Sequence, residues 1–454
     1  MKISRFLAFA LVVLVAACVP RLFNNTNKSQ LKNTSAPTSF PEWFSSLPVG
    51  PIANYELTAS VVFHKVGSEI LPDFQKFAVT DAKMEKRIQL SMASASRGSA
   101  DGGVSMVWMR DYQPFVIKSS DIKAGGKARF VAYLSMNMGR NLYTGTSGRQ
   151  GVSDELLNPQ LVDIDKEVIG AERDSISFLR MPLIVEGGNL IATGEHIFLT
   201  EHVFQQNSLD YLQYLNRSGR SFNKEALEKI FRENGFYENN QLGEKFEYRS
   251  PDQVISILAK YLEVKAEKIV TLPVLPGEGT RHIDLYLLAM GKKHVMIPKI
   301  TEEGIATLGF EHERPLARAA MDFLNAQAER LTSQYGYQVD RLEMVPPIYQ
   351  IEQGGEKQAV YMSPANVLLA NLGPDRKKVF IPHFEVPADW GKPFSDYSKK
   401  VEDQWKVYFE KNGWEPTFVT ANKAARAYGL IRCLTAPIPF LSERHMKRFV
   451  KLGY

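Results

Sequence analysis

The stretch Leu275–Met290, LPGEGTRHIDLYLLAM, runs from a glycine-containing loop into an apolar, strand-like segment, with His282 and Asp284 at the junction. Side chains alternate along a strand, so two residues two apart are expected on one face. Charge on a buried strand is costly unless partnered. An HxD of this kind either ties a loop down or offers an imidazole and a carboxylate to a pocket.

Working outward, short β-rich runs and amphipathic helical runs alternate on both sides. The strand-like runs are VWMRDYQPFVI (107–117), LIVEGGNLIA (183–192), HIFLT (196–200), KIVTLPVL (268–275), HVMIP (294–298), NVLLANL (366–372), KVFIP (378–382) and EPTFVT (415–420). The helical runs lie at 223–235, 251–262, 313–336 and 396–413, several following Pro or Asp and ending at Gly, as caps do. Strand pairs followed by a helix recur, which places the chain in the α/β class. No composition break divides the body, and the polar, helix-rich stretch near 209–262 reads as an insertion.

The chain has 454 residues, 44% hydrophobic and 23% charged, with a formal net charge of +5. That suits a sizeable globular core. There is no basic stripe with interleaved aromatics, so nucleic acid is not an expected partner. The basic C-terminal ERHMKRFVKLGY reads as a solvated helix face.

The first 20 residues, MKISRFLAFALVVLVAACVP, carry Lys2 and Arg5, an apolar run, and the small pair Ala16–Ala17 before Cys18. This is the pattern of a signal peptide, too short for a comfortable membrane span. Its ending LVAAC resembles the lipobox of bacterial lipoproteins. That resemblance implies a signal peptide at 1–17 and a lipidated Cys18. Residues 18–40, rich in Asn, Ser and Thr, then form a flexible tether, and the body spans 41–454. The lipid would tether the chain to a membrane, outer rather than inner since no Asp follows Cys18, so the expected location is the bacterial cell envelope, outside the cytoplasm. An ordinary cleaved signal or an uncleaved anchor is the alternative.

Only two cysteines occur, Cys18 and Cys433. With Cys18 lipidated, Cys433 has no intramolecular disulfide partner, and no CxxC or HxxxH spacing suggests a metal. In AYGLIRCLTAPIP (427–439), Cys433 is then either a small buried hydrophobe or a nucleophile. Arg110 and Asp111 interrupt an apolar run, as a structural salt bridge or as site residues. Glu186-Gly187-Gly188 breaks another, as a hairpin or bulge or where the backbone approaches something closely. His196, His202 and His294 have the surroundings of ordinary surface or strand positions. A cysteine, a histidine and several carboxylates suit attack on a cationic planar carbon. Two carboxylates match the fork of a guanidinium, and a thiolate is a natural attacker on its central atom.

The order WMRDYQP, EGGN, HID, YMSPANVLLAN…VFIP and GLIRCLT…P, spanning Trp108 to Pro439, resembles the guanidine-modifying (pentein) superfamily of agmatine, arginine and bacterial peptidylarginine deiminases. The resemblance implies an α/β-propeller of five ββαβ-like modules with pseudo-fivefold symmetry. It implies Cys433 as nucleophile, His282 as general acid and base, and Glu186 as its support. Asp111 and Asp284 would be the guanidinium clamp, Asn366 a residue near the substrate, and Trp108 a wall stacking on the guanidinium plane. The activity implied is hydrolysis of agmatine, arginine or peptidyl-arginine to a ureido product and ammonia, citrullination where the substrate is a peptide. No metal or organic cofactor is called for. An amidinotransferase on the same scaffold, or an envelope lipoprotein that only binds, are the alternatives. Arg432 departs from the agmatine and peptidylarginine deiminase pattern, which often has His before the cysteine; arginine deiminase-like members carry Arg there.

Overall fold

The computed structural model describes residues 48–55, 61–65, 91–92, 115–119, 129–134, 177–208, 249–351, 357–371, 377–386, 390–422, 425, 430–433 and 436–438. The chain opens with β1 (Gly50–Pro51), β2 (Val61–Lys65) and β3 (Ser91–Met92), then β4 (Phe115–Ser119), β5 (Arg129–Leu134) and β6 (Ser177–Arg180). Next come β7 (Leu190–Ala192), β8 (Ile197–Thr200) and β9 (Ile269–Leu272), then β10 (Leu288–Gly291), β11 (His294–Met296) and β12 (Gln338–Asp340). A two-stranded hairpin, β13 (Ile348–Ile351) and β14 (Lys357–Val360), precedes β15 (Leu368–Asn371), β16 (Lys377–His383) and β17 (Glu415–Thr420). β18 (Ala436–Ile438) comes last.

One pairing rule recurs in five sheets. A leading strand is antiparallel to a central strand, and the central strand is parallel to a third: β4-β5-β6, β7-β8-β9, β10-β11-β12, β15-β16-β17 and β18-β2-β3. In the last of these the leading strand is the C-terminal one, so the end of the chain closes the sheet begun near its start. β1 adds to the free side of β4.

A parallel third strand requires a crossover, and helices fill those described. α1 (His202–Gln206) and α2 (Pro251–Tyr261) link β8 to β9. α3 (Glu302–Ala306) and α4 (Arg314–Tyr335) link β11 to β12, and α5 (Lys392–Lys411) links β16 to β17. Each of the long ones follows from sequence. Ser250 and Gln253 form a capping box at the start of α2, with Pro251 in its first turn. Its Val254, Ile257, Leu258 and Tyr261, spaced along one face, are buried against residues of β7 and β8. Four such side chains contribute roughly 6–12 kcal/mol before the ordering cost. α4 stops at Gly336, whose φ of 64° is the left-handed cap that favours glycine. In α5, Val401, Trp405 and Phe409 line the buried face, and the Trp405 indole N–H donates to the Glu343 carbonyl at 2.7 Å. α2 is therefore the crossover helix of its module. The described end of the stretch expected as an insertion is part of the core, while 209–248 fall outside the described residues.

Glu186 lies just before β7, His282 and Asp284 just before β10, Asn366 just before β15 and Cys433 just before β18. Each thus sits on the loop leading into a module's first strand. In sequence, Trp108 and Asp111 precede β4 in the same way, but they lie outside the described residues, as does Cys18. Among the described residues, no helix is long and apolar enough to cross a membrane.

Candidate active site

The loop before β10 is shaped by its own carboxylate. Gly277 takes a left-handed φ of 68°, and the buried Glu278 folds back to accept from the backbone N–H groups of Thr280 (2.7 Å) and Arg281. These charge-assisted bonds hold Arg281 at φ 59°, a region costing a non-glycine residue roughly 1 kcal/mol or more. The hairpin β13–β14 braces the loop, Ala359 N–H donating to the Gly277 carbonyl at 2.9 Å.

Here the strand expected at His282–Asp284 is corrected. His282 caps a 3₁₀ turn over Ile283–Leu285, closed by Tyr286 and Leu287 N–H donating to the Ile283 carbonyl, and the strand begins only at Leu288. Two residues apart on a tight turn do not share a face, and the two side chains take different partners.

The EGGN segment likewise forms a 3₁₀ turn, Gly187–Asn189, where a hairpin or bulge was the alternative. Asn189 Oδ1 accepts from the Thr200 N–H (3.0 Å), and the Thr200 hydroxyl lies 2.7 Å from that oxygen and 2.8 Å from the Arg281 carbonyl. These bonds tie the turn to β8 and to the residue before His282. Across the join, His282 Nε2 lies 2.6 Å from Glu186 Oε2, both side chains buried. Gly188 is where the backbone passes against the imidazole ring, and a Cβ there would overlap Nδ1.

The third loop carries Asn366, fully buried. Its Oδ1 accepts from the backbone N–H of Arg432 at 3.0 Å and of Cys433 at 3.4 Å. Its Nδ2 donates to the Asp284 carbonyl at 3.3 Å and lies 3.4 Å from Cys433 Sγ. Cys433 exposes 1% of its surface. Beside it, Arg432 Nε is 3.3 Å from Asp284 Oδ2, both residues buried. Burial draws the Arg432 pKa below its usual value, while Asp284 and Cys433 beside it oppose that shift. Neither carboxylate oxygen of Asp284 makes a hydrogen bond among the described residues, the Arg432 contact being an ion pair alone, which leaves a buried carboxylate with acceptor capacity unused.

The structure thus links Cys433, Asn366, Asp284 and Arg432 in one buried network, and pairs His282, two residues from Asp284, with Glu186. Sequence reasoning passed over two features. One is the Arg432–Asp284 pair. The other is His202, expected at an ordinary position but buried at the start of α1. Burial pushes its pKa down to about 4, opposed by the Glu186 charge and reinforced by His282. The signal available was its place on the strand-to-helix turn after HIFLT, thirteen residues beyond the EGGN turn. His196 and His294 have structural partners, Tyr337 Oη at 2.9 Å and Asp340 Oδ2 at 2.7 Å. Among the described residues no group of three or more His, Cys, Asp or Glu is placed to hold a metal.

No family model matches the chain, and no curated protein matches it in sequence. Solved structures do. One, provisionally described as a peptidyl-arginine deiminase, aligns with a TM-score of 0.51 at 14% identity, covering 86% of this chain and 99% of its own. A second, from Porphyromonas gingivalis and provisionally described as an arginine deiminase, aligns at 0.52 and 14% identity, covering 86% and 98%. The fold is accordingly the α/β-propeller of these two structures, as the motif order implied.

Proposed function

We propose that this protein is a guanidine-modifying hydrolase, a deiminase that converts a guanidinium to a ureido group and ammonia through a covalent bond to Cys433. The observation that carries the reading is the buried His282–Glu186 pair at 2.6 Å, on a turn whose next carboxylate, Asp284, joins the Cys433 network in a propeller fold. The buried Asp284 carboxylate has both oxygens free of hydrogen bonds among the described residues, which supports its use as a receptor for a substrate guanidinium. Asp111 is proposed as the second carboxylate of the clamp and Trp108 as a stacking wall.

In the proposed reaction the Cys433 thiolate attacks the guanidinium carbon, forming a C–S bond and a tetrahedral adduct. Protonated His282, its charge balanced by Glu186, gives a proton to the departing nitrogen as the C–N bond breaks and ammonia leaves. With Nε2 engaged by Glu186, the proton passes through Nδ1, the nitrogen facing Gly188. Neutral His282 then takes a proton from water. Attack on the thiouronium and rupture of C–S release the ureido product and restore the thiolate. Positioning of carbon over sulfur supplies much of the rate.

The N-terminal reading belongs to the same proposal: cleavage after Ala17, a lipid on Cys18 and a location in the cell envelope, supported by the sequence of residues 1–20. Incubation with agmatine, arginine and an arginine peptide should yield ureido product and ammonia from at least one, and Cys433→Ala should abolish turnover while melting as the parent does. Turnover of none of them would overturn the assignment. A new guanidine formed only when an acceptor amine is supplied would move it to the transferases.

A further inference from the structure

We propose that Asn366 is the residue that positions Cys433 and favours its thiolate, holding the cysteine backbone with its amide oxygen and donating to the sulfur with its amide nitrogen. This rests on Cys433 being the nucleophile, and it replaces the substrate contact that the family resemblance implied for Asn366.

The orientation of the amide follows from its partners. Oδ1 faces two backbone N–H groups, of Arg432 and Cys433, which can only donate. Nδ2 faces the Asp284 carbonyl, which can only accept. A flipped amide would set donor against donor and acceptor against acceptor, so the nitrogen is the atom at the Asp284 side. One of its two N–H groups serves that carbonyl, and the other has Cys433 Sγ at 3.4 Å.

The protonated thiol has a competing arrangement, S–H donating to Oδ1 at 3.6 Å. That oxygen already accepts from two N–H groups, so the S–H bond is the poorer of the two. Donation from Nδ2 gains strength when the sulfur is charged, and the fully buried amide is not diluted by water. The amide therefore favours the thiolate, as does the Arg432 guanidinium, against burial and the Asp284 carboxylate, which disfavour it. The amide's other bond matters equally. Because the same nitrogen bonds the Asp284 carbonyl, a single side chain spans the loop of the nucleophile and the loop carrying His282 and Asp284, holding the two in register.

Thiolate absorbance in the ultraviolet, titrated against pH with the Cys433→Ala protein as blank, reads the sulfur directly and needs neither substrate nor access to the buried site. In Asn366→Ala the midpoint should rise by about one pH unit, leaving about tenfold less thiolate at a given pH below it. In that variant, the acid limb of any turnover profile should move by the same amount. A residue that only braced the fold would lower the melting temperature and leave the midpoint in place, and a superimposable titration overturns the proposal. Should Asn366→Ala not fold, Asn366→Asp keeps an oxygen for both backbone donors and loses the donor to sulfur. Its midpoint should rise further, and an unmoved one likewise overturns the proposal. If the titration shifts as stated but no guanidine turns over, the role of Asn366 stands and the deiminase assignment falls.

Discussion

Gly188 lies against the His282 imidazole so closely that a Cβ built on it would overlap Nδ1 and come within 3.0 Å of Cε1. Its backbone φ is unexceptional, so the demand for glycine is one of space and not of conformation. Both sides of the contact are held, the turn by Asn189 and Thr200 and the ring by Glu186. Gly188→Ala should therefore push the ring off its position, costing about 1–3 kcal/mol of stability in urea unfolding and on the order of 100-fold in kcat. A kcat within threefold of the parent would show that the ring has slack. Arg432 has a similar lesson for reading sequence. Next to a cysteine in an apolar stretch it had no visible purpose, because its partner, Asp284, is 148 positions away in the chain. Removing it would leave a buried carboxylate uncompensated.

At the scale of elements, four of the leading loops carry the described candidate residues, Glu186, His282 with Asp284, Asn366 and Cys433, each just ahead of a strand. α1 extends this arrangement. It begins on the turn after β8 and buries His202 beside Glu186 and His282. The folded pKa of His202 is about 4, against an ordinary 6.5, mainly because burial opposes the charged form. Between those values the unfolded chain binds a proton that the folded chain refuses. The stabilisation is complete above pH 6.5 and is lost as the pH falls towards 4, by roughly 3 kcal/mol over the window. Urea unfolding between pH 7 and 4.5 should show this decline, and His202→Gln should flatten it. An unchanged slope in the variant would assign the acid sensitivity to other groups.

For the whole molecule, β18 pairs with β2 and so joins the last described residues to the first described module. Among the described residues β18 is an edge strand, the place in a sheet where a proline such as Pro437 is tolerated. Deleting residues 436–454 exposes the side of β2 and removes the clasp. At about 1 kcal/mol per net hydrogen bond, roughly 2–4 kcal/mol should be lost, with a broader thermal transition. An unaltered melting curve would show that closure contributes nothing to stability. Much of this architecture was legible beforehand, because periodicity and caps are local. The strands from HIFLT to EPTFVT and the helices α2, α4 and α5 stand where alternation, Pro and Gly placed them. What failed was also local in cause. IDLYLL looks like strand by composition, yet its first residues wind into a 3₁₀ turn because Glu278, a contact within the loop, sets the chain direction before them. The sequence by itself determined the alternating α/β class, the order of the motifs and the identities of Cys433, His282, Glu186, Asp284 and Asn366 as candidates. Only the tertiary structure decided that His282 meets Glu186, that Arg432 meets Asp284 and that Asn366 spans two loops. Those contacts join positions 66 to 148 residues apart, and such pairs are chosen by packing and by the need to satisfy buried charge, neither of which a local pattern contains.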